Sequence, residues 1–297
     1  VRLAVGNIDV PVYVRSAAKP FIAAAVVASG AAVRFGFDRK EIALIAASHN
    51  GEEEHVATVR SILAKIGLDE SALRCGALPS RTALQNNCSG KHAGILALCL
   101  TIGADIRTYL EPEHPAQQRI LGLCARLVGE NVGALPIGTD GCGIPVFAAS
   151  LRNIAGAFAR FASLHGVRED DAQALLVVRE AMLAHPWYVA GTDRFDTRLM
   201  EVAQGNIVAK VGAEGMYGVG VLNAGIGLAA KIIDGADRAT PPAVIALLEE
   251  FGALSEAQRE KLEFFARREI RNVAGRVVGE IAVFPERGRT DEREETV

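Results

Sequence analysis

Stretches of helical period alternate along the chain with short apolar runs, and polar or glycine-rich turns mark most of the boundaries. Residues 1–14 alternate loosely and are rich in valine, so they predict strands around the turn "GNID". The run "FIAAAVVASGAAVRFGF" predicts a buried helix that ends near its glycines, and "EIALIAASHNGEEEH" is an apolar run stopped by a polar turn. Acidic residues then crowd a helix start, followed by Val56, Val59, Ile62, Leu63 and Ile66 at helical spacing. Further helices are expected over "AGILALCLTIG", "HPAQQRILGLCARLVG", "VFAASLRNIAGAFARFAS" and "EDDAQALLVVREAMLAHP". From Asn206 the pattern changes to short apolar runs punctuated by glycine, which reads as paired strands. A last helix, "PPAVIALLEEFGAL", opens on prolines, where a missing N–H costs least.

Strands, a helical middle, strands and a helix make an α+β fold. Both ends are expected to build one antiparallel sheet, with the helical middle as an insertion and one domain over residues 1–285. Residues 286–297 are charged and poor in apolar side chains, which predicts a disordered tail. The chain opens at Val1 inside its first expected strand, which implies a truncated N-terminal strand.

Composition narrows the function. Thirty-two basic against 35 acidic residues leave a net charge of −3, with no field to hold nucleic acid or an anionic membrane. Apolar runs such as Ile22 to Ala28 fall well short of the roughly 20 residues of a membrane span. The five cysteines are odd in number and irregularly spaced, so a reducing cytoplasm is expected rather than a disulfide framework. Few aromatics and 30 glycines point to close packing on small residues.

Three short motifs could carry chemistry. In "RSAAKP", Ser16 and Lys19 lie one helical turn apart, where a neutral lysine could take the serine proton. A capping serine with a solvated lysine explains the same spacing. Ser48 to Asn50, "SHN", stands where the apolar run meets the acidic helix, so either polar residue could simply cap it. Lys231, in "KIID", is otherwise an edge-strand lysine. In this order the three match the S-x-x-K, S-D-N and K-T-G set of serine β-lactamases and penicillin-binding proteins, except that "KII" replaces K-T-G.

Thiols supply a second constellation. The "DGCG" glycines let the backbone turn sharply and present Cys142 from a loop. Spacing alone pairs Cys88 with His92, four residues on, and adds Cys142 as a third zinc ligand. Lys91 is the poorer candidate, because shedding its proton near pH 7 costs roughly 4–5 kcal/mol. Two buried thiols and a helix-start lysine are the structural alternative.

Together "RSAAKP", "ASHNGEEEHV", "QNNCSGKHAG", "DGCGIPVF", "RFDT" and "KVGAEG" with "KIIDG" resemble, in order from about Val12 to Asp237, the class 3 asparaginases typified by the rhizobial inducible enzyme, the asparaginase II family. The resemblance implies a serine β-lactamase-like fold, a homodimer, and hydrolysis of L-asparagine to L-aspartate and ammonia. It places catalysis on Ser16, Lys19, Ser48 and Lys231; on chemical grounds Ser48 is preferred as nucleophile with Ser16 and Lys19 as its relay, and a Lys231 ammonium beside Lys19 is one way to lower its pKa. It places zinc on Cys88, Cys142 and Lys91, with Asp140 nearby, which overrules His92 as a ligand and leaves it a neighbour. Arg15, Asn50, Asp140 and His92 are then expected around the substrate, with zinc positioning its α-carboxylate or amine. Competing expectations are a β-lactamase or transpeptidase-like serine hydrolase, and a non-catalytic zinc-dependent amino-acid-binding protein.

Overall fold

A computed structural model describes residues 1–283, and the tail expected over 286–297 lies outside them. In chain order the elements are β1 Pro11–Tyr13, α1 Lys19–Ala28, α2 Ala31–Arg34, α3 Arg39–Ile45, α4 Glu53–Lys65, α5 Ser89–Ile102 and α6 Pro115–Val128. There follow β2 Ile137–Thr139, β3 Pro145–Ser150, α7 Leu151–Ser163, α8 Glu169–Ala184, α9 Pro186–Ala190 and α10 Phe195–Ala203. The chain then forms β4 Ile207–Gly212, β5 Met216–Val221, β6 Ile226–Lys231, α11 Thr240–Glu250, two short helices at Glu256–Glu260 and Glu263–Ala266, β7 Arg268–Arg271 and β8 Val277–Ile281. The fold is α+β, and among the described residues no helix is long and apolar enough to cross a membrane.

Most helices sit where their periodicity puts them. The first long apolar run breaks into α1 and α2 at Gly30, whose φ of 84° is open to glycine at little cost. The segment "VFAAS", read above as the start of a helix, is strand β3. Ser150 ends it by accepting the Asn153 N–H, which caps α7 at Leu151.

The sheets also differ from expectation. Instead of one sheet drawn from both ends, strands pair as β1-β3-β2, β4-β5-β6 and β7-β8, all antiparallel. Buried over most of its length, β3 uses its two halves to pair with β1 and β2, so the N-terminal strand is spent there. Residues 1–10 form no strand and are mostly exposed.

Small residues set the close approaches that matter for the site. A Cβ on Gly218 would lie 1.9 Å from the Phe158 ring, and one on Gly227 would lie 1.9 Å from the Ala155 carbonyl, so α7 rests directly on β5 and β6. Likewise a Cβ on Gly90 would come within 2.4 Å of the Leu44 carbonyl, which seats the start of α5 against the end of α3. Those two helix ends carry the polar motifs.

Candidate active site and metal centre

Ser48 follows the end of α3 in extended backbone that is hydrogen-bonded across to the end of α9: its N–H donates to Val189 O at 2.9 Å, and Asn50 N–H to Ala190 O at 2.9 Å. Its hydroxyl lies between two lysines. Lys19 Nζ, at the first residue of α1, and Lys210 Nζ, on β4, are each 2.9 Å from Ser48 Oγ. The three side chains are 3 %, 1 % and 0 % exposed, so neither lysine is the solvated kind.

The two ammonium sites differ in partners. Lys19 also donates to Ala47 O at 2.6 Å and Asn87 O at 3.1 Å, filling the three donor positions of a charged amine. Lys210 has one further partner, Val211 O at 2.9 Å. Burial pushes Lys210 down to about 7; Asp196 opposes this, and the charges of Lys19 and Arg194 add to it. Burial also lowers Lys19, but Cys88 opposes it. Lys19 thus has all three donor positions engaged, whereas Lys210, at about 7, is the amine that is half neutral near pH 7. On the other side of the serine, burial holds His49 far below its ordinary value and therefore neutral, with Nδ1 accepting the Gly51 N–H at 3.1 Å and Nε2 3.0 Å from Ser89 Oγ.

A second cluster adjoins the first. Cys88 caps the start of α5, and the β2–β3 turn presents Asp140 and Cys142, closed by a Gly143 N–H to Asp140 O bond of 2.8 Å with φ of 90° at Gly143. The two sulfurs and a carboxylate oxygen lie within 4.8 Å of one another. Lys91 Nζ is 2.9 Å from Cys142 Sγ and 4.0 Å from Asp140 Oδ2. A hydrogen bond from Cys142 and the charges of Lys19 and Lys91 hold the Cys88 thiol well below its ordinary pKa against burial, while Cys142 is raised. Although burial opposes it, the acidic surroundings from Cys88, Cys142 and Asp140 raise Lys91. Two cysteine sulfurs and a carboxylate converging in a buried place, with Lys91 as a further donor once it sheds its proton, are a donor set that suits a borderline-soft divalent ion.

His92 is not part of that cluster, so the ligand trio suggested by spacing alone is corrected. Tyr109 OH accepts the Arg74 N–H at 2.9 Å and sits 2.7 Å from His92 Nδ1, which ties the ring to Tyr109. Burial keeps His92 neutral, and Nε2 has no partner among the described residues.

Arg15, with φ of 50°, is a clamp: its Nε donates to Asp140 at 2.8 Å and its Nη1 pairs with Glu214 at 2.7 Å in the β4–β5 turn. Ser16 makes no side-chain hydrogen bond among the described residues. It lines a void of about 20 Å³ with Arg15, Lys19, Lys91 and Asp140, room for about one water. Asn50 donates to Glu52 and Thr192 O, each at 3.0 Å, and accepts from Arg194 at 2.9 Å.

Lys231 is not brought to Ser48. It ends β6, across β5 from β4, where Nζ donates to Glu214 O at 2.6 Å and Ile232 O at 2.8 Å beside a groove of about 1330 Å³ between β6, α7 and α11. The lysine at the serine is Lys210, which sequence reasoning passed over. Its signal was a charged residue inside the apolar run "NIVAKVG", because lysine is almost never fully buried unless it has partners.

A family model described as L-asparaginase II matches residues 1–283. No curated protein matches the chain. A solved structure titled "Crystal structure of Mglu in its native form in the presence of 4.3M NaCl" is 16 % identical, with a TM-score of 0.36. That alignment covers 83 % of this chain but only 57 % of the other, so the chain spans little more than half of that protein's length.

Proposed function

Because the chain belongs to the L-asparaginase II family, we propose that it hydrolyses L-asparagine to L-aspartate and ammonia, with Ser48 as nucleophile and Lys210 as its base. The observation that carries this reading is the Ser48 hydroxyl, 2.9 Å from Lys210, whose pKa is depressed to about 7, and 2.9 Å from Lys19, whose three donor positions are all filled.

Neutral Lys210 takes the Ser48 proton as Oγ forms a bond to the side-chain amide carbon. The Lys19 ammonium offsets the negative charge that develops beside it. The carbon–nitrogen bond then breaks, the proton passes from Lys210 to the departing amine, and ammonia leaves an aspartyl ester on Ser48. A water that gives its proton to Lys210 attacks the ester, and the proton returns to Oγ as aspartate leaves. Ser16 lines the same small void as Lys19, which supports a relay role for that pair.

Cys88, Cys142, Asp140 and Lys91 would hold a zinc ion there, which supplies a Lewis-acid position for a substrate amine or carboxylate oxygen. Lys91 must lose its proton to ligate, so zinc binding by it weakens as pH falls. A serine β-lactamase-like arrangement, a homodimer and a reducing cytoplasm complete the reading.

Coupled ammonia release from L-asparagine tests it, with zinc content measured on the same preparations. Ser48→Ala should lower turnover by at least about 10³-fold with zinc retained. Full activity in that variant, or lost activity in Ser16→Ala alone, moves the nucleophile to Ser16.

A further inference from the structure

Arg194 stands beside the nucleophile without a carboxylate partner among the described residues. The segment that carries it is fixed to the extended backbone around Ser48 at several points. Beyond the two backbone bonds from Ser48 and Asn50, Thr192 gives Glu52 both its N–H, at 2.8 Å, and its hydroxyl, at 2.7 Å. Gly191, with φ of 115°, lets the backbone pass so close that a Cβ would lie 2.6 Å from Asn50 Nδ2 and 2.6 Å from Glu52 Oε1. Arg194 is thereby delivered next to Ser48, where its Nη1 donates to Asn50 Oδ1 at 2.9 Å and reaches Ser48 O at 3.5 Å.

The rest of its guanidinium is uncommitted. Nε and Nη2 make no hydrogen bond to a described residue, and neither is among the buried polar atoms left without a partner, so both reach solvent. Arg15 differs, because Asp140 and Glu214 already occupy two of its donor positions. Charge points the same way. Lys19, Lys210 and Arg194 surround the serine, and of the nearby carboxylates Asp196 is engaged by the Val211 N–H at 3.0 Å. A half-buried fork with two free donors, set beside two lysines, suits a carboxylate.

We propose that Arg194, rather than Arg15, binds the α-carboxylate of the amino-acid substrate and so makes the site selective for amides that carry one. The assignment rests on the amidohydrolase reading above. It adds the chemical feature by which the substrate is chosen.

The test compares L-asparagine with β-alaninamide, the same amide without the α-carboxylate, in wild type, Arg194→Gln, Arg194→Lys and Arg15→Gln. Arg194→Gln should raise KM for L-asparagine about 10- to 100-fold with a smaller change in kcat. Its kcat/KM for β-alaninamide should fall far less than that for L-asparagine, since losing the Arg194 charge also touches Lys210, so discrimination between the amides shrinks by about 10-fold or more, and Arg194→Lys should restore part of it. Arg15→Gln, which frees Asp140 and Glu214, should lower activity on both amides alike.

Equal losses on both amides in Arg194→Gln would make the residue purely structural and overturn the proposal, as would discrimination lost in Arg15→Gln instead. Calorimetric binding of L-aspartate and β-alanine separates the two levels of inference. If wild type releases no ammonia yet binds aspartate over β-alanine, and Arg194→Gln abolishes that preference, the hydrolytic reading fails and the carboxylate assignment stands. A preference that survives in Arg194→Gln overturns the assignment.

Discussion

Lys210 shows how far one residue's surroundings can move it from its ordinary chemistry. Its depressed pKa of about 7 predicts that kcat/KM for L-asparagine rises through about pH 7 and then levels, as the neutral amine accumulates. Lys210→Met should cut kcat by about 10²- to 10⁴-fold, and a wild-type profile flat from about pH 6 to 8 would put the base elsewhere. Stability carries the same signature with a definite sign. An unfolded lysine keeps its proton up to about pH 10.4, so the cost of holding Lys210 in the fold is complete below about pH 7 and fades as pH rises between those values. Lys210→Met should therefore stabilise the protein at pH 7 by roughly 2–4 kcal/mol in denaturant titrations, with a gain that narrows toward pH 10. At this scale the sequence marked Ser48, Lys19, Cys88, Lys91 and Cys142 by motif. It could not tell Lys210 from Lys231, because both end or interrupt apolar runs and only the strand order separates them.

Among the elements, the glycines of "MYGVGVLNAGIG" were legible as strand punctuation, but their packing role was not. Gly218 is the register partner of Lys210, and Phe158 of α7 occupies the space where its side chain would be. Gly218→Ala should destabilise by more than about 2 kcal/mol, because the clash is with a ring fixed in the core between Phe21 and Phe161. Urea denaturation checks this, and an unchanged midpoint would show that α7 can shift at little cost. The helices over 53–65, 89–102 and 169–184 were legible in the sequence, the first from its apolar spacing and the others from long apolar runs bounded by polar residues or glycine. Strand β3 was not, since a short apolar run before a helix has no period of its own and takes its state from the partners β1 and β2.

Across the whole molecule the thiol cluster joins parts far apart in the chain. Cys88 belongs to the helical region and Asp140 with Cys142 to the β2–β3 turn, so an ion held by all of them would tie α5 to the small sheet. Chelation should lower Tm by about 5 °C if zinc is present at some hundredfold its Kd, and Cys88→Ser should erase the difference between loaded and stripped protein. A Tm indifferent to chelator in wild type would remove zinc from the account of stability.

The sequence by itself determined the α+β class, most helix positions and the residue types of both clusters, because period, capping and motif are local properties of the chain. Only the tertiary structure decided which lysine meets Ser48, that Arg15 is already paired while Arg194 is not, and that His92 turns to Tyr109 rather than to the thiols. Those outcomes depend on strand order and on helix approaches set by Gly90 and Gly218, contacts between residues distant in sequence that no local pattern encodes.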